Sequence, residues 1–375
     1  MISSRDYRSD EVFRDELRLL FGGAYQFVCM TTEVANNRDF VCLDYPGTSI
    51  VVQNFKGELA AFENVCRHRF SRIQTDDRGN RPLMCRYHGW NYGADGCPFG
   101  IPRRSEYQID GREDALCLPR YRVEACGKFV FVAPFDLTVS LRDYLGTFYD
   151  ALEKISQHFG PELHYGVVPH RANWKILVEN VVDNLHCGLL HQDTFIAWGY
   201  CRKPLEDIQL DGPHSSFHVP RTEQEREGPR RRALSHLQDR GFAHDSFYHA
   251  FIFPNLFVAS TEGYSFYVGH AIPVSPGETQ LRVRYYEPAV SLEGGRRARQ
   301  DLINEQTRVQ ALKIIEEDRP ILEQVQKGME VADGEGFVAD SEVRIHAFFE
   351  AYRRSISAGA VATPELRQPP GAAAA

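Results

Sequence analysis

Two short clips, each combining a cysteine with a histidine, are the most constraining feature of this sequence. The first is Cys66-Arg67-His68, and after sixteen intervening residues the second is Cys85-Arg86-Tyr87-His88. Two thiolates on one iron and two imidazoles on the other are the ligand set of one kind of [2Fe–2S] centre. Neutral imidazoles raise the reduction potential of such a cluster, which suits electron transfer to a stronger oxidant. The pattern therefore predicts a redox cluster bound by Cys66, His68, Cys85 and His88.

A structural zinc ion is the main alternative for these four residues, because zinc also accepts two cysteines with two histidines. Zinc sites of that composition usually pair cysteine with cysteine in one clip and histidine with histidine in the other. Here each clip mixes the two residue types. The spacing favours the iron–sulfur cluster.

Size and charge narrow the possible functions. The chain has 375 residues, which is room for two domains, and its formal net charge of −8 argues against nucleic acid or an anionic membrane as the main partner. The polar N-terminus lacks a signal-peptide pattern, and no apolar run is long enough to span a membrane. Nine cysteines, an odd count, fit a reducing compartment and predict a cytoplasmic protein. The cysteines outside the clips are expected to be small buried side chains, namely Cys29, Cys42, Cys97, Cys117, Cys126, Cys187 and Cys201.

The hydrophobic pattern predicts two domains of an α+β protein. A helical segment at 10–20 precedes short β-like runs from 27 to 134, and both clips fall among these runs. Helical spacing then covers 141–159 and 174–190, followed by strand-like runs between 247 and 288 and helices at 296–315 and 320–328. We expect an N-terminal helix and all-β domain at 1–135, a second domain at 136–358, and a disordered tail at 359–375.

The 174–190 segment carries a second candidate metal site. Two histidines and one carboxylate with open coordination positions bind non-haem Fe(II) in oxygen-activating proteins. His186 and His191 are five residues apart, so an ideal helix would separate them by roughly 140°, and we expect a local distortion or π-bulge between them. Asp183 lies three residues before His186, on the same predicted helix face, and is expected to hold its ring N–H.

The carboxylate ligand is predicted to be Asp318. Glu316 and Glu317 are adjacent rivals, and Asp318, two residues before Pro320, could instead cap the following helix. The residues alone leave these alternatives open.

Together, the motifs resemble the Rieske non-haem iron oxygenases over about residues 20–335. The family motif Glu-Asn-x2-Asp-x2-His-x4-His is matched by Glu179, Asn180, Asp183, His186 and His191, and a later Glu-Asp-x4-Glu-x-Val-Gln-x-Gly motif places Asp318 as the third iron ligand. The resemblance implies a Rieske domain followed by an α+β catalytic domain of the helix-grip type, with an antiparallel sheet and a metal-bearing helix. Many members have glycine after the His-Arg pair where this chain has Phe70.

The resemblance also implies how the two iron sites cooperate. Asp183 would connect His186 to His88 of a neighbouring subunit, in a homotrimer, and Asn180 would lie near the iron. Electrons from NAD(P)H would arrive through a reductase, directly or through a ferredoxin, and O2 would be inserted into a small organic substrate.

An aromatic compound is the expected substrate. Hydroxylation or C–N cleavage of a quaternary ammonium or N-methyl compound is the alternative, although such members often carry glutamate at the position of Asp183. Two or three of six aromatic residues are expected to line the pocket: Phe195, Trp198, Tyr200, Phe251, Phe253 and Phe257.

Two further interpretations stay open at this level. The chain could be an electron-transfer protein in which the cluster domain is fused to a binding module. The charged stretch 221–232 fits a solvated surface loop, a mobile lid or a docking patch for an acidic redox partner.

Overall fold

Two seven-stranded antiparallel sheets organise the molecule. The computed structural model describes residues 3–197, 207–219, 237 and 247–361, and it confirms the α+β prediction. Trp198, Tyr200, Cys201 and the 221–232 stretch lie outside these residues. Within them, no helix is both long enough and apolar enough to cross a membrane.

The first sheet comes from the segment predicted to be all-β. Its strand order is β1-β9-β8-β4-β3-β2-β5, and β6 with β7 forms a separate two-stranded ribbon. The strands are β1 Gln26–Met30, β2 Asp39–Tyr45, β3 Thr48–Phe55, β4 Glu58–Glu63, β5 Arg78–Asn80, β6 Asn91–Tyr92, β7 Pro98–Gly100, β8 Arg120–Cys126 and β9 Phe129–Pro134. Short 3₁₀ turns cover Ser4–Tyr7, Thr31–Val34, Arg104–Glu106 and Glu113–Leu116.

The second sheet has the order β10-β16-β15-β14-β13-β12-β11. Its strands are β10 Phe159–His170, β11 Asp207–Asp211, β12 His214–Val219, β13 Phe247–Ile252, β14 Leu256–Thr261, β15 Ser265–Ser275 and β16 Glu278–Pro288. The helices are α1 Asp10–Asp15, α2 Leu141–Leu145, α3 Phe148–Gln157, α4 Trp174–Val182, α5 Cys187–Leu190, α6 Gly294–Val331 and α7 Val343–Val361, with π-helical turns at Glu16–Phe21 and Gln192–Ile196.

Successive residues of β13 face opposite sides of this sheet. Phe251 belongs to the core that also contains α4 and α7 residues, whereas Tyr248, Ala250 and Ile252 pack with α2 and α3. This alternation follows from the two-residue period of a strand.

Four predicted helices, at 141–159, 174–190, 296–315 and 320–328, have different bounds in the structure. The 141–159 segment is divided at Gly146, whose φ of 54° ends α2. The 174–190 segment is interrupted after Val182. The segments at 296–315 and 320–328 form one helix of 38 residues, α6, which continues through Pro320. A proline removes one helical N–H, and here the surrounding packing maintains the helix despite that loss.

The expectation that every cysteine outside the clips is an isolated buried side chain is wrong for one pair. Cys97 and Cys117 form a disulfide. Leu118 N–H donates to Gly96 O at 2.9 Å, and this backbone contact brings the two adjacent cysteines together. Cys29, Cys42 and Cys126 are free and buried, and Cys187 is buried. Helix α7 extends beyond residue 358 to Val361, and the rest of the predicted tail, 362–375, lies outside the described residues.

The N-terminal segment packs against the helices of the second sheet. Trp174 Nε1 donates to Glu16 Oε2 at 2.8 Å, and Lys175 forms a fully buried ion pair with the same carboxylate. Tyr352 of α7 donates to Glu16 at 2.6 Å. A division of the chain near residue 135 stays a prediction, and these contacts associate residues before β1 with the C-terminal part.

A buried ion pair joins the two sheets. Arg284 of β16 donates to both carboxylate oxygens of Glu33, at 2.9 and 3.1 Å, and the two side chains are 0% and 3% exposed. Glu33 also lies 3.3 Å from Arg78, which in turn pairs with Glu162 of β10. Buried charges of this kind require each other, because neither can be solvated alone.

We predict that Arg284→Met lowers the free energy of unfolding by about 3–5 kcal/mol, because it leaves Glu33 buried beside the more distant Arg78. Denaturant titration measures this. Arg5→Met, which removes an exposed pair with Glu11, is the control and should cost less than about 1 kcal/mol. Equal effects of the two changes would contradict the assigned importance of the buried pair.

Candidate functional site

The two Cys/His clips adopt the same backbone conformation. Cys66 N–H donates to Ser71 O at 2.8 Å, and Cys66 O accepts from Phe70 N–H at 3.0 Å. Cys85 repeats this with Trp90 O at 2.8 Å and Gly89 N–H at 2.9 Å. Each loop therefore presents its cysteine at the base and its histidine toward the tip, and the two loops face one another as a cluster would require.

The side chains of the clips converge. The rings of His68 and His88 are 4.5 Å apart, and both cysteines are 1% exposed. Trp90 stacks on His68 at 5.2 Å. Tyr92 Oη lies 3.2 Å from Cys66 Sγ. His68 Nδ1 is buried without a hydrogen-bond partner among the described residues, as expected for an atom that ligates a metal.

Phe70 occupies the position where the family pattern often has glycine. Its φ is 59°, close to the 75° of Gly89 in the matching loop. This left-handed conformation favours glycine, because a Cβ then crowds the backbone. The loop geometry is kept in spite of the substitution, and the phenyl ring is 74% exposed beside the cluster loops.

The second predicted site brings two histidines and one carboxylate together. Asp318 Oδ1 lies 3.2 Å from His191 Nε2 and 3.8 Å from His186 Nε2. Asp318 is in the middle of α6, so it does not cap a helix that begins at Pro320. Its Oδ1 is buried and accepts no hydrogen bond within the described part of the chain. Two imidazole nitrogens facing a carboxylate oxygen suit a ferrous ion with open coordination positions.

A second carboxylate orients each histidine. Asp183 Oδ2 is 2.8 Å from His186 Nδ1, and Glu317 Oε2 is 2.8 Å from His191 Nδ1. Thr194 Oγ1 donates to Glu317 at 2.8 Å. Each Nδ1 therefore carries the proton, which leaves the Nε2 lone pairs directed at the metal position. From the sequence, Glu317 was considered only as an alternative ligand. Its position one residue before Asp318 was the signal that could have indicated its role beside His191.

The backbone around these histidines is irregular. The helix face that Asp183 and His186 were predicted to share is not formed. Helix α4 ends at Val182, and Asp183 is extended with ψ of 147°, so Asp183 and His186 do not share a continuous helix face. Instead Asp183 Oδ1 accepts from Leu185 N–H at 2.6 Å, which places its other oxygen near His186. Burial acts to raise the pKa of Asp183, but the hydrogen bonds from His186 and Leu185 lower it overall. The distortion predicted between His186 and His191 is not at that place, because α5 covers Cys187–Leu190 and the π-helical turn Gln192–Ile196 begins directly after His191.

A cavity of about 460 Å³ opens from the metal position toward the sheet. Its walls include Asn180, whose Nδ2 is 3.4 Å from His186 Nε2. Of the aromatic residues predicted to line it, Phe195 does so, whereas Phe251, Phe253 and Phe257 are buried in the core. Five other aromatic residues line the cavity and were not predicted, because the sequence does not show which side of the sheet each strand residue faces: Phe217, Phe247, Tyr264, Tyr267 and Tyr285.

Comparison with known proteins gives two domain matches. Residues 24–122 match the Rieske [2Fe-2S] domain. Residues 158–358, more than half of the chain, match the ring hydroxylating alpha subunit (catalytic domain).

Curated relatives match over part of their length. The large subunit of anthranilate 1,2-dioxygenase from Acinetobacter baylyi is 30% identical over 49% of this chain and 41% of its own. The oxygenase subunit of glycine betaine monooxygenase from Chromohalobacter salexigens is 30% identical over 50% of this chain and 42% of its own. The matched part thus spans less than half of these relatives.

A solved structure with the same fold is that of a quaternary ammonium Rieske monooxygenase. It has a TM-score of 0.76 at 20% identity, over 95% of this chain and 94% of its own. At this identity the likeness concerns the fold.

We predict that Glu317→Ala lowers the affinity for ferrous ion about 10- to 100-fold, because His191 loses the partner that fixes its ring. Anaerobic titration of iron-depleted protein measures the affinity. Glu316→Ala is the matched control, since the Glu316 side chain pairs with Arg319 at the surface. Unchanged affinity in Glu317→Ala would contradict its assigned role.

A pH dependence of stability should arise at Glu179, which accepts a 2.5 Å hydrogen bond from Tyr7 Oη. Burial raises the pKa of Glu179 from 4.5 to about 7. The folded state then binds this proton more tightly than the unfolded state, so the contribution is complete below pH 4.5 and is lost as the pH rises through 7.

Glu179→Gln should remove that contribution. The difference in unfolding free energy between the wild type and Glu179→Gln should change by on the order of 3 kcal/mol across this interval, with the wild type losing stability as the pH rises. Chemical denaturation at a series of pH values measures it. A difference that does not vary with pH would show that Glu179 titrates normally.

Proposed function

The chain belongs to the ring-hydroxylating alpha-subunit family with a Rieske domain, and we propose that it is the terminal oxygenase of a multicomponent system. Its cofactors are a [2Fe–2S] cluster and a mononuclear iron. We assign the cluster to Cys66, His68, Cys85 and His88, and the mononuclear iron to His186, His191 and Asp318. These three residues would hold the iron, which would supply the activation of O2 for insertion into an organic substrate.

The observation that carries this proposal is the position of the candidate iron ligands at the wall of a mainly apolar cavity. Asp318, His186 and His191 line the same cavity as Phe195, and the orphaned oxygen of Asp318 faces both imidazoles. A binding module without catalysis would not need an unpaired buried carboxylate at this place. The residues of the chain hold the metal, orient the substrate and exclude bulk water from the reacting centre.

We propose that electrons reach the iron from the cluster of a neighbouring subunit in a homotrimer. The Asp183–His186 pair is 18% exposed at both side chains, which leaves an edge that a second copy can contact. His88 of that neighbouring subunit is the proposed partner of Asp183. The cluster would be reduced by a reductase, directly or through a ferredoxin, with NAD(P)H as the electron source.

The proposed compartment is the cytoplasm, where such donors are available. The Cys97–Cys117 disulfide is an observation against it, since disulfides are uncommon in reducing compartments.

The proposed substrate is a small aromatic compound. Phe195, Phe217 and Phe247 provide ring contacts on one side of the cavity, with centroid distances of 5.4 Å and 6.0 Å from Phe247 to the other two. Such a wall suits a planar ring. A quaternary ammonium compound is the second candidate, favoured by the similarity to glycine betaine monooxygenase. The aromatic wall could also bind a cation. The positive charge of the buried Arg344, which lies over the Phe217 ring, opposes the binding of a cation there.

Oxygen consumption tests the proposed activity. Iron-loaded protein with a surrogate reductase and NADH should consume O2 in response to an aromatic or N-methyl compound, and Asp318→Ala should abolish that response. An electron-transfer protein would be reduced by the same donor yet show no substrate-dependent uptake with any compound of the panel, and this result would contradict the proposal.

Asp183→Ala tests the proposed route between subunits. With iron in excess, both metals should stay bound while turnover falls below about 1% of the wild-type rate, on the order of the loss caused by removing one essential group. Asp193→Ala is the control, since Asp193 is 82% exposed on the adjacent turn. Normal turnover in Asp183→Ala would refute the bridge.

A further inference from the structure

Arg344 is a buried cation that has no carboxylate partner in the described part of the chain. It is 2% exposed, its Nε donates to Ser215 Oγ at 2.9 Å, and its guanidinium lies over the Phe217 ring at 4.9 Å. Its Nη1 has no hydrogen-bond partner, and no acidic side chain pairs with it among the residues that the structure describes. Buried charges are normally paired, and among the described residues this positive charge is not compensated.

The contact between Arg344 and His249 fixes the state of that histidine. Arg344 Nη2 is 3.2 Å from His249 Nδ1, and a guanidinium can only donate, so Nδ1 is the acceptor. Burial and the nearby guanidinium lower the pKa of His249 well below its usual range, so the ring is neutral. Its single ring proton is therefore on Nε2.

That Nε2–H group has no acceptor among the residues that the structure describes. His249 is 6% exposed and lines the cavity that contains the candidate iron ligands, and Nε2 is buried without a hydrogen-bond partner in the described part of the chain. An unsatisfied buried donor costs free energy, which a ligand oxygen in the cavity would recover. The guanidinium on the other ring nitrogen makes this N–H a stronger donor toward negative charge.

We propose that His249 is a specificity-determining residue, and that the substrate carries an anionic oxygen, as in a carboxylate, which accepts the hydrogen bond from His249 Nε2–H. Arg344 supplies the balancing positive charge through the imidazole. This inference rests on the proposed function only in taking the cavity as the substrate site.

The other charges around the cavity agree with this assignment. Asp183 and Asp318 are its lining carboxylates among the described residues, and both belong to the metal site, where the ferrous ion offsets them. Helix α6 adds uncharged polar side chains to the lining, namely Gln306, Thr307 and Gln310. An acid group of the substrate near His249 would thus meet a positive region. The remainder of the substrate would lie between His249 and the iron.

Variants of His249 separate the donor from the structural contact. In His249→Asn the amide oxygen can still accept from Arg344, but the donor into the cavity is lost. In His249→Gln the longer amide places an N–H near the position of Nε2 and should restore part of the effect. His170→Asn is the matched control, because His170 is also a buried histidine that lines this cavity. Its Nδ1 lies 3.1 Å from the backbone oxygen of Val168 and does not contact Arg344.

The measurement is calorimetric binding of paired probes to iron-loaded protein: benzoate with benzamide, and phenylacetate with phenylacetamide. The wild type should bind at least one acid about tenfold or more tightly than its amide. His249→Asn should reduce that ratio about 10- to 100-fold, the usual effect of losing a hydrogen bond to a charged group. His170→Asn should keep the ratio. If His249→Asn does not fold, the wild-type ratio and its partial retention in His249→Gln decide the matter.

A panel in which no acid binds more tightly than its amide would overturn the inference, as would an unchanged ratio in His249→Asn. Binding requires neither electrons nor O2, so the outcome is independent of turnover. A protein that selects acids through His249 but never consumes O2 would defeat the proposed function alone. A protein that oxidises neutral arenes without preferring acids would defeat this inference alone.

Discussion

Two hydrogen bonds between carboxylates and imidazoles determine the geometry of the candidate iron site. Asp183 and Glu317 each hold one Nδ1 proton, so that both Nε2 atoms face Asp318. Glu317 and Asp318 are neighbours on α6, so one helix supplies both an orienting group and a ligand. Three carboxylates concentrated around two neutral imidazoles repel one another, and a divalent cation at their centre removes that repulsion. A bound metal would thus be part of what makes this arrangement stable.

The rest of the fold positions this centre and the cluster on a rigid support. The antiparallel sheets are joined by the Arg284–Glu33 pair, and the N-terminal segment is fixed to α4 and α7 through Glu16. Irregular backbone occurs at the places where the candidate ligands are presented. Asp183 ends one helix, a π-helical turn follows His191, and Phe70 takes a left-handed conformation beside the cluster loops. Strain and irregularity of this kind are common where a protein must aim side chains at a metal.

Ligand type and spacing were readable from the sequence, because each clip and the His186–His191 pair is local. The α+β organisation was also predictable, since the change from two-residue to helical periodicity near residue 135 is plain. The role of Glu317 was not, because it depends on α6 crossing behind His191, a contact between residues 126 positions apart. The facing of Phe251 and the Cys97–Cys117 bond depend in the same way on long-range packing. The donor of His249 likewise depends on Arg344, which lies 95 positions away in the sequence.

The most direct test of the account is the metal content of the purified chain, combined with spin-resonance spectroscopy after anaerobic reduction. The account predicts about three irons and two sulfides per chain, with the signal of a reduced cluster that has mixed thiolate and imidazole ligands. Asp318→Ala should lose one of the three irons and keep that signal. Zinc in place of iron, or a wild-type protein with the cluster but no iron that depends on Asp318, would contradict the central claim that one chain carries two distinct iron sites.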